Sequence, residues 1–499
     1  MLKLMGSRKV LCNGVTRRDL LHIGGIEALG LGLTGGTSPA AGTGTLPHKT
    51  RGPARACIFL FLFGSPPQHE TFDPKPDAPT EIQGEMGAID TALPGLQIGE
   101  GLPQTARIAD RLTVVRSMTH AYPIHCCAYV MSGMPNYSIP LETAPRAPEH
   151  WPFLGSVVDF LDARRTGEMA PAVHRNIGLP WQFCSRGSSP NQAGPYGAFL
   201  GSGYDPFWTD FAGTGTVIVP PLNAEQQTER VQDPHAGIEI GARLQLAQGC
   251  HLPEDVPSRR FDARISLLQQ FDALRLRLHR PETLQGYATH QQRALSLVGS
   301  SRIRDAVDVG HEPLRLRERY GMTLFGQSCL AARRLVEAGA RFVTVFWDPV
   351  GPHGASVWDT HSNHFPRLRN YLLPVFDQSY SALIGDLDDR GLLDETLVIC
   401  TSEHGRTPKI DSGPIGAARH HWSRAYSSVF AGGGMARGRV VGKTDAIGGD
   451  VADTPISPKD MQATVYQLLG YAESETIPDQ QGRPHPIAGD GHARPELLA

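Results

Sequence analysis

No run of eighteen or more apolar residues occurs in this 499-residue chain, which excludes a polytopic membrane protein. An excess of one charge is missing too. Lys+Arg 47 against Asp+Glu 50 leaves a formal net charge of -3. Nucleic acid is therefore not an expected partner, since polyanion-binding domains are strongly basic. The eight cysteines contain no Cys-x-x-Cys, so they announce neither a zinc-thiolate site nor, at this length, a disulfide framework. Gly 55 and Pro 40 make up about a fifth of the residues but follow no period, which removes collagen and short repeat arrays and leaves many turn-rich loops. Hydrophobic residues at 40 % and charged ones at 19 % are ordinary for a folded globular chain.

What is present begins with an address. Arg17 and Arg18 form a twin arginine in Thr16-Arg17-Arg18-Asp19-Leu20-Leu21, followed by a soft, Gly-rich apolar stretch and a small-x-small exit at Ser38-Pro39-Ala40. Charged start, weakly apolar middle and small-residue exit are the parts of an export signal, and the arginine pair makes it a twin-arginine (Tat) signal. Residues 1–55 are thus expected to be a Tat-type signal and linker read by the Tat translocon. The protein is then periplasmic or extracellular, with an uncleaved leader as a means of retention and no stable membrane span.

Ala56 to Phe63 reads ACIFLFLF, a continuous apolar run of strand length. Such runs suit strands buried on both faces of a parallel sheet. Leu112–Arg116, Arg341–Phe346, Thr396–Cys400 and Ser427–Phe430 read alike, and helical patterns lie between them at Pro103–Asp110, Leu324–Ala338 and Phe365–Arg390, with a closing one at Pro458–Leu469. Alternation of this kind predicts an α/β fold with a mostly parallel central sheet flanked by helices. One domain over 56–490 is expected. Residues 135–311, loop-rich and with a polar helical stretch from Ser258 to about Arg280, read as an insertion or cap over the sheet.

Ligands of parallel sheets bind beyond the carboxyl ends of the strands. There the sequence places His69, Glu70 and Asp73, then His120 and His125, then Asp348, His353, Asp359, His361 and His364, then Glu403, His404 and Arg406. Arg419, His420 and His421 precede the last strand, so a loop must carry them to that edge. Carboxylates and imidazoles gathered at one rim suit a borderline divalent cation. Asp359 and His361, two apart, face one way on an extended segment. Glu403 and His404 are adjacent, as in a turn addressing neighbouring ions, and His421 closes the first ion from another loop.

In order, the segments GSPPQHETFDPKPD, WDTHSNHF, SEHGRTPKI, ARHHWS, AGGG and QGRPHPI resemble the marks of a bacterial, planctomycete-type family, domain-of-unknown-function 1501, from about Arg55 onward. That family in turn resembles the alkaline phosphatase and sulfatase superfamily, a three-layer α/β sandwich with a divalent-metal site. The resemblance implies Asp359, His361 and His421 as ligands of one metal, and Glu403 with His404 and Glu70 or Asp73 as ligands of another. The metal is zinc first, with calcium, magnesium or manganese as alternatives. This chain departs from the family pattern at His404, usually apolar there, at His420 for Asp, and at Glu70 for a frequent Asp. The sulfatase Cys-x-Pro-Ser-Arg signature is absent, and Tyr122-Pro123-Ile124-His125-Cys126-Cys127 stands near its place. Cys126, His125 or a water is left as nucleophile, with Arg406 and His125 holding the anion.

The expected activity is metal-dependent hydrolysis of an anionic phosphate or sulfate ester, carried by a small molecule or a polymer. The alternative is a non-catalytic, metal-stabilised binding protein of the cell envelope or extracellular matrix. Plainer readings stand beside each motif. Asp359 and His361 can cap the helix after Phe365, Glu403 and Arg406 can pair to fix a turn, and His69, Glu70 and Asp73 can serve turn chemistry. Cys126 and Cys127 can be inert buried thiols, His353 and His364 solvated loop residues, and Gly432 to Gly434 a tight turn rather than a phosphate cradle.

Overall fold

The run ACIFLFLF is unbroken because both its faces are covered. Ile58, Leu60 and Leu62 are buried in one apolar cluster, while Cys57, Phe59 and Phe61 are buried in another. In the computed structural model, which describes residues 52–133, 137–168, 171–187, 192–219, 231–247, 259–261, 263–264, 266–268, 270, 301–350 and 357–499, this strand lies in the middle of a nine-stranded sheet. The strands are β1 (Ala56–Leu62), β2 (Leu112–Met118), β3 (Asn176–Leu179), β4 (Phe207–Ala212), β5 (Arg243–Leu246), β6 (Phe342–Trp347), β7 (Thr396–Thr401), β8 (Tyr426–Ala431) and β9 (Arg439–Val441). Their spatial order is β9-β2-β8-β7-β1-β6-β3-β4-β5. Strand β1 pairs in parallel with β6 and β7, and β3 with β6 and β4. Only β8 and β5 run against the rest.

Helices cover both faces. On the Ile58 side lie α3 (Leu324–Glu337) and α4 (Leu373–Asp389), and on the Phe59 side α1 (Cys127–Ser132), α2 (Leu154–Thr166) and α5 (Pro458–Leu468). Each Phe of β1 contributes about 1.5–3 kcal/mol by leaving water, so the sheet does not depend on the loops at its edge. Helix α5 starts with a reciprocal cap between Ser457 and Asp460, which satisfies donors the first turn leaves open. The helix expected from Phe365 arrives in pieces: His364–Arg367 is α, Leu368–Leu372 is a π turn, and α4 follows. Pro374 lacks the N–H that would continue the regular ladder at this junction.

Two expectations change. Strand β8 is antiparallel to both neighbours, with Tyr426 opposite Met118 and Ala431 opposite Leu112. Its start therefore lies at the carboxyl edge of the others. Arg419, His420 and His421 reach that edge because β8 is reversed, and no special loop is needed. The same reversal sends the glycine turn to the far edge. Gly432, Gly433 and Gly434 all have positive φ, 66°, 55° and 91°, and a Cβ on Gly432 would meet the Leu393 carbonyl at 2.1 Å. This is a tight turn remote from the rim. Residues 135–311 supply β3, β4, β5 and α2, so part of that segment is laid into the sheet rather than over it. Most of the helical stretch expected over 258–280, and the leader with Arg17 and Arg18, lie outside the described residues.

Candidate metal centre

Strand β1 ends in a sharp turn at Gly64 and Ser65, both at positive φ, 94° and 71°. Gly64 has no room for a side chain, since a Cβ would stand 2.4 Å from the Asp359 backbone nitrogen. That close approach brings the loop after β6 against the loop after β1. The Gly64 N–H donates to Glu403 Oε1 at 2.8 Å, and the His404 N–H donates to Ser65 Oγ at 3.2 Å. Gln68 binds both backbone groups of Arg406, accepting from its N–H at 2.9 Å and donating to its carbonyl at 2.8 Å. Neither Gln68 nor Ser65 stood out in the sequence.

Ligand atoms from three loops converge here. His125, His404 and His421 form one group, and Asp359, His361 and His421 a second, each with its ligand atoms within 4.8 Å of one another. In the second group His361 Nε2 lies 2.9 Å from His421 Nε2, while Asp359 Oδ1 lies 3.0 Å from the first and 3.2 Å from the second. A tetrahedral cation with ligands at about 2.0–2.1 Å spaces them roughly 3.3–3.4 Å apart, so a small inward-facing triangle of this size fits a divalent ion. The first group has the complementary sign. His404 Nδ1 lies 2.8 Å from the Gly405 carbonyl, which makes Nδ1 the donor. Its Nε2 is buried without a partner. An imidazole oriented through one nitrogen, with a bare lone pair on the other, is the usual form of a metal-binding histidine. Glu403 is fully buried, with Oε2 unpartnered and Oε1 2.8 Å from His125 Nδ1.

The charges follow from these neighbours. Burial alone would raise Asp359, but the Arg406 guanidinium and hydrogen bonds from His125, His361 and His421 hold it well below the ordinary carboxylate range. Burial opposes the cationic form of His125, yet hydrogen bonds and charge from Asp359 and Glu403 prevail and lift it to about 10. Burial, with Arg406, His125 and His421 beside it, keeps His404 neutral. Burial also lowers His421 against the pull of Asp359. His120, in the loop after β2, contacts the Glu403 carbonyl through Nε2 at 2.7 Å and receives the Tyr122 N–H on Nδ1 at 3.2 Å. It grips the backbone of Glu403 rather than an ion.

Three expected assignments move. Arg406 is fully buried, and its guanidinium donates to the carbonyls of Gly64, Ser65 and Arg419 and to Asp359 Oδ1. It orients a ligand and has little left to hold a substrate anion. Cys126 is buried, its Sγ 3.3 Å from the Glu403 carbonyl and 3.5 Å from His120 Nε2. Burial and the nearby Glu403 and Glu142 push its thiol well above the usual value, so it stays protonated and is a poor nucleophile. Glu403, Glu70 and Asp73 belong to neither group: Glu403 is spent on the Gly64 N–H and on His125. Glu70 receives Arg419 Nε and Nη2 at 3.0 and 2.6 Å, and despite burial Arg419 and His364 bring it down to about 2. Asp73 pairs with Lys75 and Arg116 at 3.0 and 3.5 Å and accepts from Thr444. His364 is no solvated loop residue: it is fully buried, 3.3 Å from Glu70 Oε2. His353 lies outside the described residues.

The sequence matches the family model described as Protein of unknown function (DUF1501) over residues 54–498. No curated protein gives a significant match. Among solved structures the chain is similar to a sulfatase from Pseudoalteromonas sp., with 11 % identity, 89 % of this chain and 72 % of that one covered, and a TM-score of 0.38. It is similar to a phosphonate monoester hydrolase from Silicibacter pomeroyi, with 12 % identity, 88 % and 75 % covered, and a TM-score of 0.34. A lipoteichoic acid synthase from Listeria monocytogenes shows 10 % identity, 88 % and 76 % covered, and a TM-score of 0.33. At these scores no activity passes from those proteins to this chain.

Proposed function

We propose for this chain, which belongs to the DUF1501 family, a metal-dependent hydrolysis of anionic phosphate or sulfate esters. One observation carries the reading: ligand atoms of His361, His421 and Asp359, from two separate segments of the chain, lie within 4.8 Å of one another at the carboxyl rim, and His421 also belongs to the adjoining group with the unpartnered His404 Nε2. His361, His421 and Asp359 would hold a divalent cation, with His404 in the adjoining group, and zinc fits by the preponderance of imidazole. A cation held there would supply positive charge against the ester oxygens and would lower the pKa of a water nucleophile. Arg406 fixes Asp359 Oδ1 in place. His125 takes its orientation from Glu403 through Nδ1 and from Asp359 Oδ2, 3.5 Å from its Nε2, with its side chain 18 % exposed. As an imidazolium it holds a proton at Nε2 for the leaving oxygen and draws in the anionic substrate.

The test combines metal analysis of the purified protein with turnover of aryl phosphates and aryl sulfates, before and after His421→Ala. Loss of metal and turnover with nearly unchanged melting supports the enzyme. Absence of metal from the parent protein ends the reading. The inert state of Cys126 favours a second one, a metal-stabilised binding protein of the envelope or extracellular matrix. In that case the parent turns over no aryl ester, and His421→Ala lowers the melting temperature strongly, because metal binding then contributes to folding. Export through the Tat translocon belongs to the same proposal. Replacing Arg17 and Arg18 by Lys keeps the charge but removes the guanidinium pair, and the variant should stay in the cytoplasm. Unchanged secretion of it would end the Tat reading. No described helix is long and apolar enough to cross a membrane.

A further inference from the structure

His361 stands between two other imidazoles. Its Nε2 is 2.9 Å from His421 Nε2, and its Nδ1 is 2.8 Å from His420 Nδ1. His420 Nε2 in turn is 3.2 Å from Asp411 Oδ2. A neutral imidazole has one N–H and one lone pair, so the tautomers of such a row are linked. If His361 carried its proton on Nε2, that N–H would donate to Asp359 Oδ1 at 3.0 Å, as it does when no cation competes, and neither nitrogen nor carboxylate oxygen could serve a cation. If the proton sits on Nδ1, Nε2 is bare, but Nδ1–H then needs an acceptor. His420 Nδ1 is that acceptor only when the proton of His420 is on Nε2, the nitrogen facing Asp411.

We propose that the surface pair Asp411–His420 is a positioning relay that sets the tautomer of His361 and so makes it a metal ligand. The Asp411 carboxylate selects the Nε2–H form of His420, His420 Nδ1 accepts from His361, and His361 Nε2 keeps its lone pair for the ion. The first two steps are hydrogen bonds among two rings and one carboxylate, and the third is the lone pair they leave on His361 Nε2. Local backbone holds the pair in register. The hairpin Asp411–Gly413 with Gly416–Ala418 places Asp411 opposite Ala418. Thr407 accepts the His420 N–H on Oγ1 and donates its own N–H to the His420 carbonyl, both at 2.9 Å. His420 and Asp411 side chains are 48 % and 65 % exposed, so substitutions there leave the core untouched.

This inference rests on the metal reading above, and its test separates the two. Zinc affinity is measured by competition with a chelator for the full-length parent, His420→Ala, His420→Asn, Asp411→Ala and the double variant His420→Asn/Asp411→Ala. Partners that orient a metal-bound histidine typically contribute 10–100-fold in affinity. His420→Ala should weaken zinc binding by about that factor. His420→Asn puts an amide oxygen where Nδ1 was, and affinity should return to within about threefold of the parent. Asp411→Ala should weaken binding in the parent and do nothing further in the Asn variant, which no longer needs its tautomer chosen. An unchanged affinity in His420→Ala overturns the relay. So does a loss in His420→Asn as large as in His420→Ala, or an Asp411 effect of equal size in both backgrounds. A parent that holds no zinc, manganese, magnesium or calcium ends the metal reading and the relay with it. A zinc-binding parent with indifferent variants ends the relay alone.

Discussion

Two aspartates follow strand β6, and they end in opposite electrostatic states. Asp348, directly after Trp347, is fully buried and accepts from Trp181 Nε1 at 2.5 Å and the Cys184 N–H at 2.9 Å. Burial outweighs these neutral donors and the more distant Arg186, and its carboxyl is raised to about 7. Asp359 is also largely enclosed, yet Arg406 and three imidazoles keep it ionised. Burial pushes both carboxylates the same way, and only a cation in contact reverses the result. Position at the rim does not by itself make an acid a ligand. Asp348 is turned into the core and helps hold the loop after β3, while Asp359 is turned outward and loaded with donors that a metal ion would replace.

The largest expected effect separates these two acids directly. Asp359→Asn keeps an oxygen for Arg406 but removes the ligand charge, and zinc affinity should fall more than about 100-fold, beyond the usual cost of losing a supporting partner. Asp348→Asn should leave zinc affinity unchanged. Equal losses in a chelator competition would show that the rim is not organised around Asp359.

Next comes the cation that makes the difference. Arg406→Met removes the buried guanidinium and leaves the carbonyls of Gly64, Ser65 and Arg419 without those donors. Removing one member of a buried ion pair typically costs about 3–5 kcal/mol. Urea unfolding of the metal-free protein should show a loss of that order. A loss under about 1 kcal/mol would mean that water replaces the guanidinium freely, and that Arg406 is no structural clamp.

Asp348 gives a smaller effect with a definite sign. Its folded value, about 7, lies above the unfolded reference of 3.8, so between these values the native state binds the extra proton. Stability from this group is complete below about pH 4 and is lost as pH rises toward about 7, with a slope of at most about 1.4 kcal/mol per pH unit. Asp348→Asn removes the titration. The stability difference, parent minus variant, should therefore fall between about pH 4 and pH 7 and level off above. A flat difference would show that Asp348 is ionised in the fold.

Much of this was legible from residue order alone. Continuous apolar runs marked β1, β2, β6, β7 and β8, because strands covered on both faces must be apolar throughout. The loops after them could be searched for ligands, which is how Asp359, His361, His404 and His421 were singled out, whereas Glu403, expected with them, contacts His125 instead. The direction of β8 was not legible, since a strand's own residues carry no mark of which way its neighbours run. The roles of Arg406, Glu70 and Asp73 were also hidden. Arg406 is consumed by carbonyls from two other segments, Glu70 by Arg419 at a separation of 349 residues, and Asp73 by Thr444 at 371. Local motifs show which groups are present, and only the assembled loops show which are already satisfied. Short strands such as Asn176–Leu179, with a glycine inside, escaped notice in a loop-rich stretch for a similar reason: four residues carry too little periodicity.

The smallest expected effect concerns Cys126, the residue whose position invited a catalytic reading. It is enclosed between His120 and the backbone of Glu403, and its thiol lies far on the protonated side at neutral pH. Forming a thiolate there would bring a buried negative charge beside Glu403 and Glu142. Cys126→Ala removes one weak S–H donor and a small volume, a change worth about 1 kcal/mol. Zinc affinity and any aryl ester turnover should stay within about threefold of the parent, because neither Asp359 nor the three histidines around it loses a contact. Abolished turnover in a folded, zinc-loaded Cys126→Ala protein would make the thiol the nucleophile after all. An activated water would then lose its place in the reaction, while the metal shell itself would stand. Unchanged turnover would leave the rim histidines and Asp359 as the chemistry of this edge, with Cys126 supporting the turn that presents Glu403.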